Sequence, residues 1–213
     1  MTTSTTAPPR GRRAPRISGD DRQRAILTTT ERLLDSRPLQ EISIEAIAAG
    51  AGISRSSFYF YFASKEAVLL SLLDGVVAEA DAAREAALAG VADSSLEMIC
   101  RASIAAFHDT FRAHRAVTLA AADAGPSTPE VRELWSRVME GWIEETAALV
   151  DAHRPATEAP GGVRSRDLAV ALNLMNERVL HAAFAGEHPA VGEPDVVEAL
   201  VAVWLGAIVG RPA

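Results

Sequence analysis

From about residue 18 onward, apolar positions recur at intervals of three and four, the period of helices with one buried face. Ser18 or Asp20 caps a predicted first helix running to about Asp35, with Ile26, Leu33 and Leu34 on its inner face. Arg37-Pro38 closes it, because a residue preceding proline avoids helical dihedrals. Ser43 opens a short helix through Ala49, Gly50-Ala51-Gly52-Ile53 reads as a turn, and Ser54 caps a third short helix to about Tyr61. Ser64 caps a long fourth helix from Lys65 to about Leu88, whose stripe is Val68, Leu69, Leu72, Leu73, Val76 and Val77. Further helices are predicted near 95–112, 115–123, 128–152, 166–185 and 194–209, broken at Gly125-Pro126, 153–162 and 186–192. The expected fold class is all-α, with about nine helices.

Strand-like alternation occurs only in Ser57-Phe58-Tyr59-Phe60-Tyr61-Phe62, which holds five of the chain's eleven aromatic residues. Read as a strand, it would have no partner. Read as the end of a helix, Phe58 and Phe62 share the inner face, and Tyr59 and Tyr61 point elsewhere with hydroxyls free for phosphate oxygens. Phe60 receives no role.

Composition narrows the function. Residues 1–18 are mostly Thr, Pro, Gly and Arg, too apolar-poor to fold, and are expected to form a flexible basic arm that includes Arg12 and Arg13. Net charge is −7, yet residues 1–65 carry +4 and the remainder −11, the balance of a polyanion-binding module joined to an acidic body. A single cysteine, Cys100, excludes an intrachain disulfide and fits a reducing cytoplasm. The N-terminus lacks the apolar core of a signal peptide, and the longest uncharged run, Ala199 to Gly210, is short for a bilayer. The chain is therefore expected to be cytoplasmic, with no membrane partner and no cofactor.

The segment Ile47-Ala48-Ala49-Gly50-Ala51-Gly52-Ile53-Ser54 has the residue types of a helix-turn-helix. Ala48 permits a close helix crossing, Gly52 permits positive φ in the turn, and Ile47, Ile53 and Phe58 lock the angle. The third helix then presents Ser54, Arg55, Ser56 and Ser57 to base edges, with Arg55 able to grip a guanine. Tyr59, Tyr61 and Lys65 are placed for phosphates, Lys65 at the start of a helix whose first amides add donors.

The stretch IAAGAGISRSSFYFYFASKEAV resembles the signature of the TetR (tetracycline-repressor) family, over residues 20–75. SGDDR, FHDTFRAHRAV, LNLMNERVL and FAGEHP extend the likeness to a mycobacterial branch of that family over nearly the whole chain. The resemblance implies nine helices: a helix-turn-helix domain over 19–64, and a ligand-binding and dimerisation domain over 65–213. It further implies a homodimer on double-stranded operator DNA, released by a small apolar ligand.

Residues of the second half fit this in part. Trp135, Met139 and Trp142 share a helix face, as do Phe107 with Phe111 and Asn173 with Asn176 and Glu177. By periodicity alone these rings are core and the amides bridge helices; the resemblance makes them a pocket, joined by Thr146 and Trp204. Cys100, Glu145 and His181 stand where the related branch has aromatic pocket residues, which leaves pocket size and preferred ligand open; Glu145 and His181 would make the cavity more polar and pH-sensitive. The Ala-, Leu-, Val- and Gly-rich helices 166–185 and 194–209 suit a four-helix dimer interface, and equally an internal core. An enzyme or a helical binding protein without DNA is the rival. Against the enzyme, HExxH, a Gly-rich phosphate loop and GxSxG are all absent, and Glu177 with His181 alone makes a poor metal site.

Overall fold

A computed structural model describes residues 18–91, 94–154 and 162–210. Among these residues the chain forms nine α-helices: α1 (Gly19–Leu34), α2 (Ile44–Gly50), α3 (Arg55–Tyr61), α4 (Lys65–Ala89), α5 (Leu96–Ala113), α6 (Arg115–Ala124), α7 (Pro129–His153), α8 (Ser165–Ala185) and α9 (Val196–Val209). Two single 3-10 turns, Leu39–Glu41 and Glu193–Asp195, complete the backbone pattern. SFYFYF is helical through Tyr61, with Phe62 as the extended cap, and the predicted boundaries hold to within two residues.

Serine hydroxyls start five of these helices. Ser18, Ser43, Ser54, Ser64 and Ser95 each accept from the backbone amide three residues on, satisfying one donor that the helix itself leaves free. Ser18 and Asp21 close a reciprocal capping box. At the other end of the chain, Gly186 terminates α8 in the left-handed region at φ 65°.

The long α4 is the spine: α1 and α6 pack on it, α5 covers much of its length, and α7 pairs with α8 while α9 closes on α5. One apolar cluster runs from Ile26, Ile47 and Phe58 along Val68, Leu69 and Leu72 to Phe111, Val117 and Phe184. The two units expected on either side of residue 65 therefore share a core through α4. A second cluster joins Cys100, Ile104, Val150, Leu172, Leu200, Trp204 and Ile208. None of the described helices is long and apolar enough to cross a membrane.

Candidate DNA interface and ligand cavity

Two glycines fix the crossing of the first helices. Gly52 adopts φ 68°, where a side chain would be strained, and Ile53 N then donates back to Ala48 O at 3.0 Å. Gly50, read from sequence only as part of the turn, lies against α1 so closely that a Cβ would stand 2.5 Å from Thr29 Cγ2. Backbone contact of this kind holds α2, and α3 behind it, at a fixed distance from α1.

Phe58 on α3 is fully buried and Phe62, just past its end, nearly so, which turns the opposite face of the helix to solvent. Ser54 Oγ accepts from Ser57 N at 3.1 Å and lies 2.9 Å from both the Ser56 and Ser57 hydroxyls. Arg55 is exposed; its guanidinium pairs with Glu45 on α2 at 2.5 Å and donates to the Tyr59 hydroxyl at 3.4 Å. The Tyr59 hydrogen bond and then the Glu45 carboxylate favour the charged guanidinium. Tyr59 is 45% exposed, whereas Tyr61 is half-buried and packs on the core cluster. Arg12 and Arg13 lie outside the described residues.

Lys65 departs from its expected place. Its Nζ donates to the carbonyls of Leu39 at 2.7 Å, Gln40 at 3.0 Å and Ile42 at 3.1 Å. An ammonium has three N–H donors, and all three are engaged in closing the 3-10 turn that leads into α2. In this geometry Lys65 is an internal strut rather than a phosphate ligand. Its signal was hidden because the acceptors lie more than 20 residues earlier in the chain.

A cavity of about 270 Å³ opens between α4, α5, α6, α7 and α8. Phe107, Phe111, Trp135 and Trp142 form its wall, with Phe107 and Trp142 centroids 4.7 Å apart and Trp135 and Trp142 edge to face at 5.7 Å. Met139, Asn173, Asn176 and Glu177 also line it. Both indole N–H groups of the wall are engaged: Trp135 donates to Glu177 at 2.6 Å and Trp142 to Asp81 on α4 at 2.8 Å. Asn173 donates to Thr146 Oγ1 at 3.0 Å and to Ala169 O at 2.9 Å.

Four residues need correcting. Thr146 and Trp204 do not line the cavity: Thr146 supports Asn173 from behind, and the Trp204 ring sits in the second core while its N–H reaches Asn176 Oδ1 at 3.0 Å. Cys100 belongs to that same core, where burial pushes its thiol up to about 11. Glu145 turns outward to pair with Arg84. Of the three departures from the related branch, only His181 faces the cavity, and its Nδ1 lies 3.2 Å from Glu187. Glu177 and His181 are therefore each engaged elsewhere, and no metal-binding cluster of three or more His, Cys, Asp or Glu occurs among the described residues. Ala121 and Ala122 of α6, with Gly125 just past its end, also line the cavity and were not among the residues expected there; the small-residue run of that helix was their signal.

The cavity approaches the first helix at the α5–α6 corner. His114 there bridges Glu31 of α1, 2.6 Å from Nδ1, and Glu79 of α4, 3.2 Å from Nε2. Thr118, which lines the cavity, donates its hydroxyl to Phe111 O at 3.3 Å and His114 O at 3.1 Å. Partial burial opposes the imidazolium, but the two carboxylates, Glu31 first, prevail and raise the His114 pKa above 6.5. A raised histidine pKa contributes stability that is complete below the unfolded value and is lost as pH rises through the folded one. The melting temperature advantage of the wild type over His114→Gln is thus expected to be largest between about pH 5 and 6, where the imidazole is charged and Glu31 and Glu79 are still ionised, and to shrink above about pH 6.5. A difference that is flat or grows with pH contradicts the bridge.

Comparison with known proteins agrees with this architecture. Residues 26–72 match the family described as bacterial regulatory proteins, tetR family, and residues 100–210 match the C-terminal domain of the transcriptional regulator EthR. The chain is 52% identical to the HTH-type transcriptional regulator EthR of Mycobacterium tuberculosis, with 99% of both chains covered. It is 47% identical to the EthR of Mycolicibacterium smegmatis, covering 98% of this chain and 96% of that one. Among solved structures, a TetR-like transcriptional regulator from Rhodococcus sp. RHA1 superposes with a TM-score of 0.68 at 22% identity, over 93% of this chain and 100% of its own. The fatty acid degradation regulator FadR from Bacillus halodurans gives 0.68 at 14% identity, over 94% and 100%. With a glycine-fixed helix-turn-helix, an all-helical body and relatives of this closeness over its whole length, the chain belongs to the TetR family of bacterial transcriptional regulators, DNA-binding proteins that are not enzymes.

Proposed function

We propose that the protein is a homodimeric repressor that leaves its operator when a small, largely apolar molecule fills the cavity walled by Phe107, Phe111, Trp135 and Trp142. The observation that carries this is the cavity itself: about 270 Å³ bounded mostly by rings and aliphatic groups, with Asn173 and Asn176 as the polar end that orients a ligand. In this reading residues 19–64 form the DNA-binding unit and 65–213 the ligand-binding and dimerisation unit, with the basic arm of residues 1–18 adding phosphate contacts. Ser54, Arg55, Ser56, Ser57 and Tyr59 make the DNA-facing set, Arg55 exchanging Glu45 for a guanine edge. His114 and Thr118 supply the route from ligand to DNA, because they link the cavity wall to Glu31 on α1. The setting is the cytoplasm, where operator DNA is found.

Dimerisation is supported by apolar side chains left uncovered on the last two helices: Leu174 on α8 is 49% exposed, and Val203 and Val209 on α9 are 48% and 65% exposed. Exposed apolar side chains in contiguous patches mark interfaces, and two-fold DNA-binding proteins need one. Val203→Asp is expected to convert a dimer to a monomer in analytical ultracentrifugation and to weaken operator binding at least tenfold. A dimer that survives in this variant with full DNA affinity moves the interface elsewhere. The ligand reading is tested by screening long-chain alcohols and esters for a rise in melting temperature and for loss of a gel shift on an upstream duplex. Compounds that do the first without the second contradict release.

A further inference from the structure

Phe60 is 84% exposed, on a helix whose every other aromatic ring is at least partly covered by the protein. We propose that Phe60 is a specificity-determining residue that packs against the 5-methyl group of a thymine in the major groove; the proposal rests on α3 being the DNA-facing helix.

Placement comes first. Successive helical residues turn by about 100°, so Ser56 and Phe60 lie opposite the fully buried Phe58 and form the centre of the outward face. Arg55 and Tyr59 occupy one flank of that face, linked to each other at 3.4 Å. Ser57 and the half-buried Tyr61 occupy the other. The Phe60 ring stands edge-on to Tyr61, centroids 5.2 Å apart at 80°, and that contact orients it without covering it.

Chemistry then selects the partner atom. A phenyl ring neither donates nor accepts a conventional hydrogen bond, so phosphate oxygens and the amino and carbonyl edges of guanine, cytosine and adenine give it nothing. Among the groups that base pairs present in the major groove, only the thymine methyl is apolar. The polar groups beside Phe60, Arg55 and Tyr59, suit hydrogen bonding to an adjacent base or phosphate while the ring covers the methyl. An oily centre between polar flanks is what a site reading thymine next to a guanine requires.

Replacing single thymines by deoxyuridine removes this methyl and nothing else. With the full-length protein and an upstream duplex delimited by footprinting, one thymine per half-site is expected to weaken wild-type binding three- to fivefold on substitution, about the effect of one buried methyl group. Phe60→Ala should bind the unmodified duplex more weakly by a similar factor and lose the penalty at that position alone, while Phe60→Leu retains part of it. Because Phe60 contributes nothing to the core, both variants should melt with the wild type. A wild type indifferent to deoxyuridine at every position, or a Phe60→Ala protein that keeps the full penalty, overturns the thymine assignment. Absence of any footprint instead overturns the DNA-facing role of α3 itself.

Discussion

Lys65→Met is expected to lower the unfolding free energy by about 3 kcal/mol, since two partly buried carbonyls and one exposed one lose a charged donor. For a chain of this size that is a fall of roughly 6–12 °C in melting temperature. Methionine keeps the length and the apolar stem of lysine, so the loss isolates the ammonium, which serves Leu39, Gln40 and Ile42 together. Lys65→Arg should rescue little, because a planar fork does not converge on three carbonyls as a compact ammonium does. The turn it closes feeds directly into α2, so DNA binding should fail as the variant melts. Below its melting temperature, however, the slope of affinity against salt should match the wild type, because no phosphate contact has been removed. The outcome opposite in both respects, with full stability and a slope reduced by about one, would restore Lys65 to the phosphates.

The second large effect concerns the cavity wall. Trp142→Ala is expected to cost about 3 kcal/mol, the low end of the range for removing a large aromatic side chain, because the ring lines the cavity and is only partly buried. Its ring touches Phe107, Phe111 and Trp135, and its N–H satisfies Asp81, 61 residues earlier on α4. Trp142→Phe separates these contributions: it retains a ring in the wall while leaving Asp81 without its donor. Trp142→Phe should therefore be destabilised less than Trp142→Ala, and Trp142→Ala should also lose the thermal stabilisation given by compounds that stabilise the wild type. Equal ligand stabilisation in wild type and Trp142→Ala would place the ligand in another part of the molecule.

Local chemistry was the most legible part of the sequence. Serine caps depend on a hydroxyl and an amide three residues apart, so Ser18, Ser43, Ser54 and Ser64 announced their helices directly. The α4 stripe was equally plain, because periodicity alone decides which side of a long helix is buried, and all six of its named residues are. What escaped were pairings across distance. Periodicity puts Trp135, Met139 and Trp142 on one face but cannot say that Glu177 and Asp81 take the indole protons. Trp204 illustrates the limit: the resemblance made it a pocket residue, yet its ring joins Leu200 and Ile208 in the second core and only its N–H approaches Asn176. Glu145 had the same ambiguity, resolved by the Arg84 guanidinium on the neighbouring helix. A side chain's partner is chosen by tertiary packing, and one sequence carries that information only where the partner is close in the chain.

Arg55 marks where the two kinds of information meet. Its position as the first residue of α3 was readable from the Ser54 cap, whereas the Glu45 carboxylate that holds it in the free protein was not. The most direct test of the account is a titration of the full-length protein with a labelled upstream duplex and a scrambled duplex of equal composition, repeated with Arg55→Ala. The wild type is expected to prefer its upstream site by a factor of a thousand or more, and Arg55→Ala to lose roughly ten- to a hundredfold of that preference. A wild type that binds both duplexes equally, or an Arg55→Ala protein with undiminished preference, would contradict it.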